Sequence, residues 1–145
     1  METTVARLRY VLQVLEPAVN RKHPTLPILQ NVVVGQGRAY ATNLATAVSV
    51  EVPEATDDPV VLPHQQLLSL LRHIPGPTPI TIHREGQAIK LAGGCTAEFP
   101  VPGEVVDFPP FPSLHPVGEA QVDADLFLKT AGALTQYAAR EDSRP

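Results

Sequence analysis

The sequence has no tryptophan, few other aromatic residues and a single cysteine. Aromatic residues make up 5% of the 145 positions, which argues against a surface that stacks single-stranded bases on exposed rings. Because Cys95 is the only cysteine, an intrachain disulfide and a thiolate metal cluster are both excluded. We therefore expect a protein of the reducing cytoplasm, in which Cys95 is a small buried strand residue.

Long apolar runs and an excess of positive charge are also lacking. Arg7, Arg9 and Gln13 interrupt the N-terminal segment, so that segment matches neither a signal peptide nor a membrane span. The formal net charge is −4, with 43% hydrophobic and 18% charged residues. This balance is typical of a globular protein, and it argues against a chain that neutralises phosphates over its whole surface. A local basic surface remains compatible with it.

No arrangement of residues in the sequence points to catalysis. The motifs GxSxG, GxxxxGK[ST] and GxGxxG are missing, and the adjacent Asp57 and Asp58 fall in a polar turn where carboxylates are usually solvated. The histidines lack the spacing of metal ligands, and we expect all five at the surface: His23, His64, His73, His83 and His115. The sequence thus favours a binding or scaffolding protein, not an enzyme, with no cofactor and no metal.

The first segment has the periodicity of an amphipathic helix. Its apolar residues recur at steps of three and four and form one stripe: Val5, Leu8, Leu12, Leu15 and Val19. Thr3 or Thr4 can cap this helix, and Pro17 should end it near Glu16. The two arginines of the segment lie off the stripe, so we expect them to face water or a partner.

A repeated order of elements follows. Three β-rich runs follow one another from Ile28 onward, and a short strand lies near "VVLP". A second amphipathic helix then contains Leu67, Leu70, Leu71 and Ile74. Three further strand candidates, "ITIHRE", "QAIKLAG" and "CTAEFPV", come next. With a short first strand over residues 2–4, the order βαβββ occurs twice. The predicted fold class is therefore α+β, with antiparallel sheets and two helices.

The remainder of the chain predicts a connector and the beginning of a further unit. Residues 103–118 are rich in proline and favour an extended connector, although a PxxP ligand for an SH3-like partner is an alternative. Residues 120–123 and 125–139 resemble one strand and one helix, which cannot bury a core by themselves. The expected organisation is a domain over 1–102, a connector over 103–118 and a partial second domain over 119–145.

Three motifs resemble the bacterial sliding clamp, the beta subunit of DNA polymerase III. "RKHPTLPILQNV" is similar to the motif after the clamp's first helix, "EVVDFPPFP" to the exit of its first domain, and "AAREDSRP" to a segment after the first helix of its second domain. The motifs occur in the same order as in the clamps. The resemblance implies a DNA-clamp fold, here the first domain and the start of the second. Whether Pro145 is a natural end or a cut in a longer parent is left open.

The resemblance also implies a function and its residues. Two copies of the three-domain clamp form a ring around duplex DNA, with helices lining the hole, and they hold the polymerase on its template. Sparse basic residues facing the DNA attract phosphates without stopping the protein from sliding. The positions that match DNA-contacting residues are Arg21, Lys22, His23, Gln65, Arg72, Glu141 and Arg144. His23 and Glu141 depart from the usual permanent cation and neutral side chain, which implies weaker contact with DNA.

Ring closure is the second implied property. The last strand of the first domain and the start of its second helix usually carry basic residues that pair with the next subunit; the matching positions here are Gln66, Thr96, Glu98, Phe99 and Val101. Phe99 and Val101 keep the apolar part of that contact, whereas Gln66, Thr96 and Glu98 stand where basic residues are usual. Polymerase and clamp-loader peptides bind clamps between the second and third domains, so we expect no such contact from this chain alone. The alternative is a stand-alone module that associates with itself through sheet edges and has no role on DNA.

Overall fold

The computed structural model describes residues 1–19, 26–112, 117–118 and 120–135. The chain forms two compact units, Met1–Pro112 and Ser113–Pro145, and each is described by itself. The strands are β1 (Glu2–Thr4), β2 (Val32–Gly35), β3 (Arg38–Thr42), β4 (Ala47–Glu51), β5 (Val60–Leu62), β6 (Pro79–Glu85), β7 (Ala88–Gly93) and β8 (Cys95–Pro100). The helices are α1 (Val5–Leu15), α2 (His64–Leu71) and α3 (Ala124–Leu134). Two βαβββ repeats are thereby confirmed.

The two repeats exchange their first strands. One four-stranded antiparallel sheet has the order β1-β6-β7-β8, and the other has the order β4-β3-β2-β5. Thus β1 of the first repeat pairs with β6 of the second, and β5 of the second pairs with β2 of the first. Neither repeat completes a sheet with its own residues, so the two must fold together.

Helix α1 forms as its sequence predicts. The Thr4 hydroxyl caps it by accepting a hydrogen bond from the Arg7 N–H at 3.3 Å, and a short 3-10 turn over Glu16–Ala18, which contains Pro17, follows its last residue. The stripe from Val5 to Val19 is buried in a core that is shared with α2 and with the inner faces of both sheets. One core therefore holds both repeats together.

Two predicted strand segments are wrong. Residues Pro27–Gln30 form a 3-10 turn, because Pro27 begins a turn in which Asn31 donates its side-chain amide to the Ile28 carbonyl at 3.1 Å. The strand starts only at Val32. Residues 120–123 form no strand either. No described strand pairs with them, and Asp123 caps α3 by accepting the Leu126 N–H at 2.8 Å.

The second unit contains one described helix, α3, whose predicted range was 125–139. The structure begins it at Ala124 and carries it to Leu134, and residues 136–139 lie outside the described part of the chain. Its large apolar side chains are exposed: Leu126, Phe127, Leu128 and Leu134.

The segment that follows β8 packs on the outer face of the sheet β4-β3-β2-β5. Residues alternate along β2 and β5, so Val32 and Leu62 face the shared core while Val33 and Val61 face outward. Phe108 covers these two outward valines and is only 3% exposed. The expected connector therefore includes an aromatic residue that belongs to the first unit.

Further contacts fix this segment, which we call the exit segment (residues 101–112). The rings of Phe108 and Phe111 both form edge contacts with the Tyr40 ring, with centroid distances of 5.4 and 6.1 Å. Arg84 donates two hydrogen bonds to the Glu104 carboxylate, at 2.8 and 2.6 Å, and these bonds hold the pKa of Glu104 below its ordinary value. The motif "DFPPFP" is therefore an anchor on the sheet, since both of its phenylalanines contact Tyr40.

Replacing Phe108 by alanine should lower the free energy of unfolding by about 3 kcal/mol, because it opens a cavity over Val33 and Val61. Val106→Ala is the matched control, since Val106 lies two residues away and is 88% exposed; its effect should stay within about 0.5 kcal/mol. Urea denaturation followed by circular dichroism measures both variants. Equal losses from the two would show that the exit segment does not anchor the first unit.

Candidate nucleic-acid interface

Helices α1 and α2 contact each other, and two side chains join them through backbone carbonyls. The His64 ring at the start of α2 donates from Nε2 to the Leu12 carbonyl at 2.9 Å. In a regular helix the Leu12 carbonyl would accept the Glu16 N–H, but here the Glu16 N–H bonds to the Gln13 carbonyl. His64 is 1% exposed, so the prediction that it lies at the surface was wrong.

Arg9 makes the second connection. Its guanidinium donates from Nη2 to the carbonyls of Leu71 and Ile74, at 2.6 and 2.9 Å. The Leu71 carbonyl ends α2 and also accepts the Ile74 N–H at 3.4 Å, and the Ile74 carbonyl lies just beyond the helix. The guanidinium is therefore near the C-terminus of α2, where the helix dipole favours a cation. The expectation that Arg9 faces water or an outside partner was therefore wrong.

The exposed side chains of α1 and α2 form what we call the helix surface. On α1 they include Tyr10 and Gln13, on α2 they are Gln65, Gln66 and Ser69, and just beyond the end of α2 they are Arg72 and His73. Gln65, Ser69 and Arg72 are spaced at i, i+4 and i+7, so they follow one line along and just beyond α2. The positions 65 and 72, assigned to DNA from the resemblance, therefore lie on one exposed stripe.

Cations on the helix surface are sparse. Arg7 pairs with the Glu54 carboxylate at 3.4 Å and donates to the Glu51 carbonyl at 2.9 Å. The Arg9 guanidinium is bonded to the Leu71 and Ile74 carbonyls. Burial raises the pKa of Glu54, but hydrogen bonds from its own backbone N–H, Thr3 and Arg7 bring it below its ordinary value. Of the described arginines on α1 and at the end of α2, only Arg72 is exposed, and none of these bonds involves it.

The other residues assigned to DNA are beyond the described part of the chain: Arg21, Lys22, His23, Glu141 and Arg144. Their places on the helix surface remain predictions. Within the described ranges no group of three His, Cys, Asp or Glu residues could hold a metal ion, and no helix is long and apolar enough to cross a membrane.

The residues assigned to a subunit contact lie mostly on one sheet edge. Strand β8 pairs only with β7 among the described strands. Thr96 and Glu98 are exposed on it, whereas Phe99 and the following Val101 are half-buried against the shared core. Gln66 is exposed on α2. Cys95, expected to be buried, is half-buried on the same strand.

Sequence reasoning missed the roles of Arg9 and His64. His64 did have a signal, because it precedes Leu67, Leu68 and Leu71 at helical spacing and so extends the buried stripe of α2 by one turn. Arg9 had none, since its partners lie at the far end of another helix.

Arg9→Ala should lower the free energy of unfolding by about 2 kcal/mol, because two carbonyls at the end of α2 lose a charged donor. Arg72→Ala removes the same charge from the same helix pair but is exposed, so its effect should remain within about 0.5 kcal/mol. Thermal and urea unfolding of the two variants compare them directly. If Arg72→Ala proves the more damaging change, the assignment of structural and surface arginines is reversed.

No protein-family model matches the sequence, and no curated protein matches it. Solved structures do. DNA polymerase III subunit beta from Pseudomonas aeruginosa superposes with a TM-score of 0.75 at 22% identity, over 99% of this chain and 41% of that chain. A sliding clamp from Bartonella birtlesii has a TM-score of 0.61 at 24% identity, over 79% and 33% of the two chains. The polymerase III beta protein of Caulobacter crescentus has a TM-score of 0.65 at 24% identity, over 77% and 32%.

These similarities establish the fold. The chain has the α+β fold of the sliding clamps, and it spans about 40% of the length of the Pseudomonas aeruginosa protein. Since each of the three identities is below 25%, the likeness assigns no activity and no binding residue.

Proposed function

We propose that the chain contributes a DNA-facing domain to a sliding clamp, a cytoplasmic ring that encircles duplex DNA and keeps the replicative polymerase on its template. The helix surface is the observation that carries this proposal. It is polar, it lies on α1 and α2 with both sheets behind them, and Arg72 is exposed on it. A surface of this kind attracts phosphates weakly and without base contacts, which sliding requires.

The proposed role is not enzymatic. The chain supplies a surface, and synthesis belongs to the polymerase that the ring holds. Its proposed partners are duplex DNA and other clamp domains. Polymerase and clamp-loader peptides would bind between the second and third domains of a clamp, away from the helix surface. The residues proposed to face DNA are those of the stripe on α2 together with the basic cluster Arg21, Lys22 and His23.

A second candidate function is a clamp-like module that associates with itself and does not bind DNA. The use of Arg7 and Arg9 favours it, because these two arginines of α1 are taken up by contacts within the chain. The net charge of −4 also opposes attraction to phosphate. The two functions make opposite predictions for the helix surface.

Titration of the ¹⁵N-labelled chain with a 12-base-pair duplex at low salt distinguishes them. A DNA-facing domain should show shifts of the Gln65, Ser69, Arg72 and His73 amides that disappear at high salt, because the contacts are electrostatic. Shifts confined to the outer faces of the sheets, or none at millimolar protein, would contradict the proposed function and support the module.

The basic residues can be tested by the salt dependence of the same binding. Arg72→Ala should reduce the slope of log K against log salt by about 1, and the triple change of Arg21, Lys22 and Arg72 to alanine should reduce it by about 3. Arg38→Ala is the matched control, because Arg38 is an exposed arginine on the outer face of the sheet. An unchanged slope in the triple variant would remove these residues from the DNA-facing role.

A further inference from the structure

The outer face of the sheet β4-β3-β2-β5 carries a small apolar cluster. We call it the outer cluster, and its described members are Val33, Val61, Phe108, Ile28, Tyr40 and Val105. The first three are buried, whereas the shared core on the inner face has twenty-one buried residues among those described. Side chains alternate between the faces of β2 and β5, so these strands separate the outer cluster from the shared core. The outer cluster can therefore be exposed without opening that core.

Two segments that lie outside the sheet complete the outer cluster. One is the exit segment, which contributes Val105 and Phe108. The other is the 3-10 turn Pro27–Gln30, which contributes Ile28 and which we call the proline turn. The two segments touch each other, because Ile28 fills the space in front of Gly103: a Cβ added at Gly103 would lie 2.9 Å from Ile28 Cδ1. Each segment therefore covers apolar surface of the other.

The backbone hydrogen bonds of both segments are mostly local. In the proline turn, the N–H groups of Leu29 and Asn31 donate to carbonyls three residues earlier, each at 3.1 Å. In the exit segment, the N–H groups of Asp107 and Phe108 do the same at the same distance. Among the described residues, no backbone hydrogen bond joins residues 102–112 to a strand. The exit segment is thus a preformed turn that side chains hold on the sheet.

We propose that the exit segment and the proline turn form one latch, which opens and closes as a unit while both sheets and the shared core stay folded. Opening exposes the outer cluster and breaks the ion pair of Arg84 and Glu104. That pair contributes little, because its side chains are 31% and 50% exposed. Opening leaves intact the strand pairings of both sheets and the buried faces of α1 and α2. The latch consequently opens more readily than the first unit unfolds.

The latch links the chain that leaves the first unit to the chain that enters β2. Because the two segments share one apolar cluster, loosening either segment loosens the other. The proline turn closely follows the basic cluster Arg21, Lys22 and His23 in the sequence, and that cluster lies outside the described residues. Under the proposed function, an open latch reduces the contribution of this cluster to DNA affinity, since a less ordered segment loses more entropy on binding. This consequence rests on the proposed function, whereas the latch itself does not.

Native-state hydrogen exchange of the whole chain tests the latch. After correction for intrinsic rates, the amides of Leu29, Asn31, Asp107 and Phe108 should share one protection factor, about tenfold or more below that of Leu12 in α1. Low concentrations of urea should leave that shared factor nearly unchanged, because a local opening exposes little surface. Different protection factors for the two segments, or a shared factor equal to that of Leu12, would overturn the inference.

A substitution in the proline turn tests whether the two segments open together. Ile28→Ala should lower the protection of the Asp107 and Phe108 amides in the exit segment by about fivefold or more, because the outer cluster loses an apolar contact. Leu26→Ala is the matched control, since Leu26 precedes the same turn, is 45% exposed and is not a member of the outer cluster; its effect should stay below about twofold. An effect of Ile28→Ala that is confined to the proline turn would contradict a single latch.

The consequence for DNA is measured separately, by fluorescence anisotropy with the same duplex at low salt. Ile28→Ala should weaken binding by about threefold or more, and it should have no further effect once Arg21 and Lys22 are replaced by alanine. Leu26→Ala should bind as the wild type does. A chain that shows the expected exchange but binds no DNA contradicts the proposed function and supports the latch alone. DNA binding that Ile28→Ala leaves unchanged overturns the coupling between the latch and the basic cluster.

Discussion

The exchange of first strands between the two repeats is the constraint on which the rest of the first unit depends. Because β1 pairs with β6 and β5 pairs with β2, each helix follows a strand that belongs to the opposite sheet. Helices α1 and α2 are thereby brought together over one core. Loss of either short strand would remove an edge from one sheet and the anchor of a helix at the same time.

Hydrogen bonds from side chains to backbone carbonyls also join the two helices. His64 bonds to the Leu12 carbonyl near the end of α1, and Arg9 bonds to the Leu71 and Ile74 carbonyls at and just beyond the end of α2. These contacts supply donors to backbone carbonyls at the helix ends. They also withdraw a cation from the surface, so the stability of the helix pair and the weakness of its positive charge have the same cause.

The two sheets of the first unit differ in what the described residues place against them. The exit segment covers the outer face of one sheet, where Phe108 packs on Val33 and Val61, whereas β8, at the edge of the other sheet, pairs only with β7 among the strands that the structure describes. Within the described residues, the exposed side chains of the helix surface are mostly polar.

Much of this fold can be predicted from the order of elements in the sequence. The sequence by itself determined the two helices and the strands of the repeats, since spacings of three and four or of two record which side of each element is buried. It also indicated the limits of α1, through Thr3 or Thr4 at its start and Pro17 at its end, whereas α2 ends at Leu71 and does not reach Ile74 as its apolar spacing predicts. The pattern failed at residues 28–30 and 120–123, whose apolar or β-branched residues pair with no strand that the structure describes.

Only the tertiary structure decided which strands exchange, that Arg9 and His64 join the helices, and that Phe108 packs on the outside of a sheet. Those contacts join residues far apart in the chain. Local periodicity carries no record of them, because it reports which face of an element is buried and not what buries it.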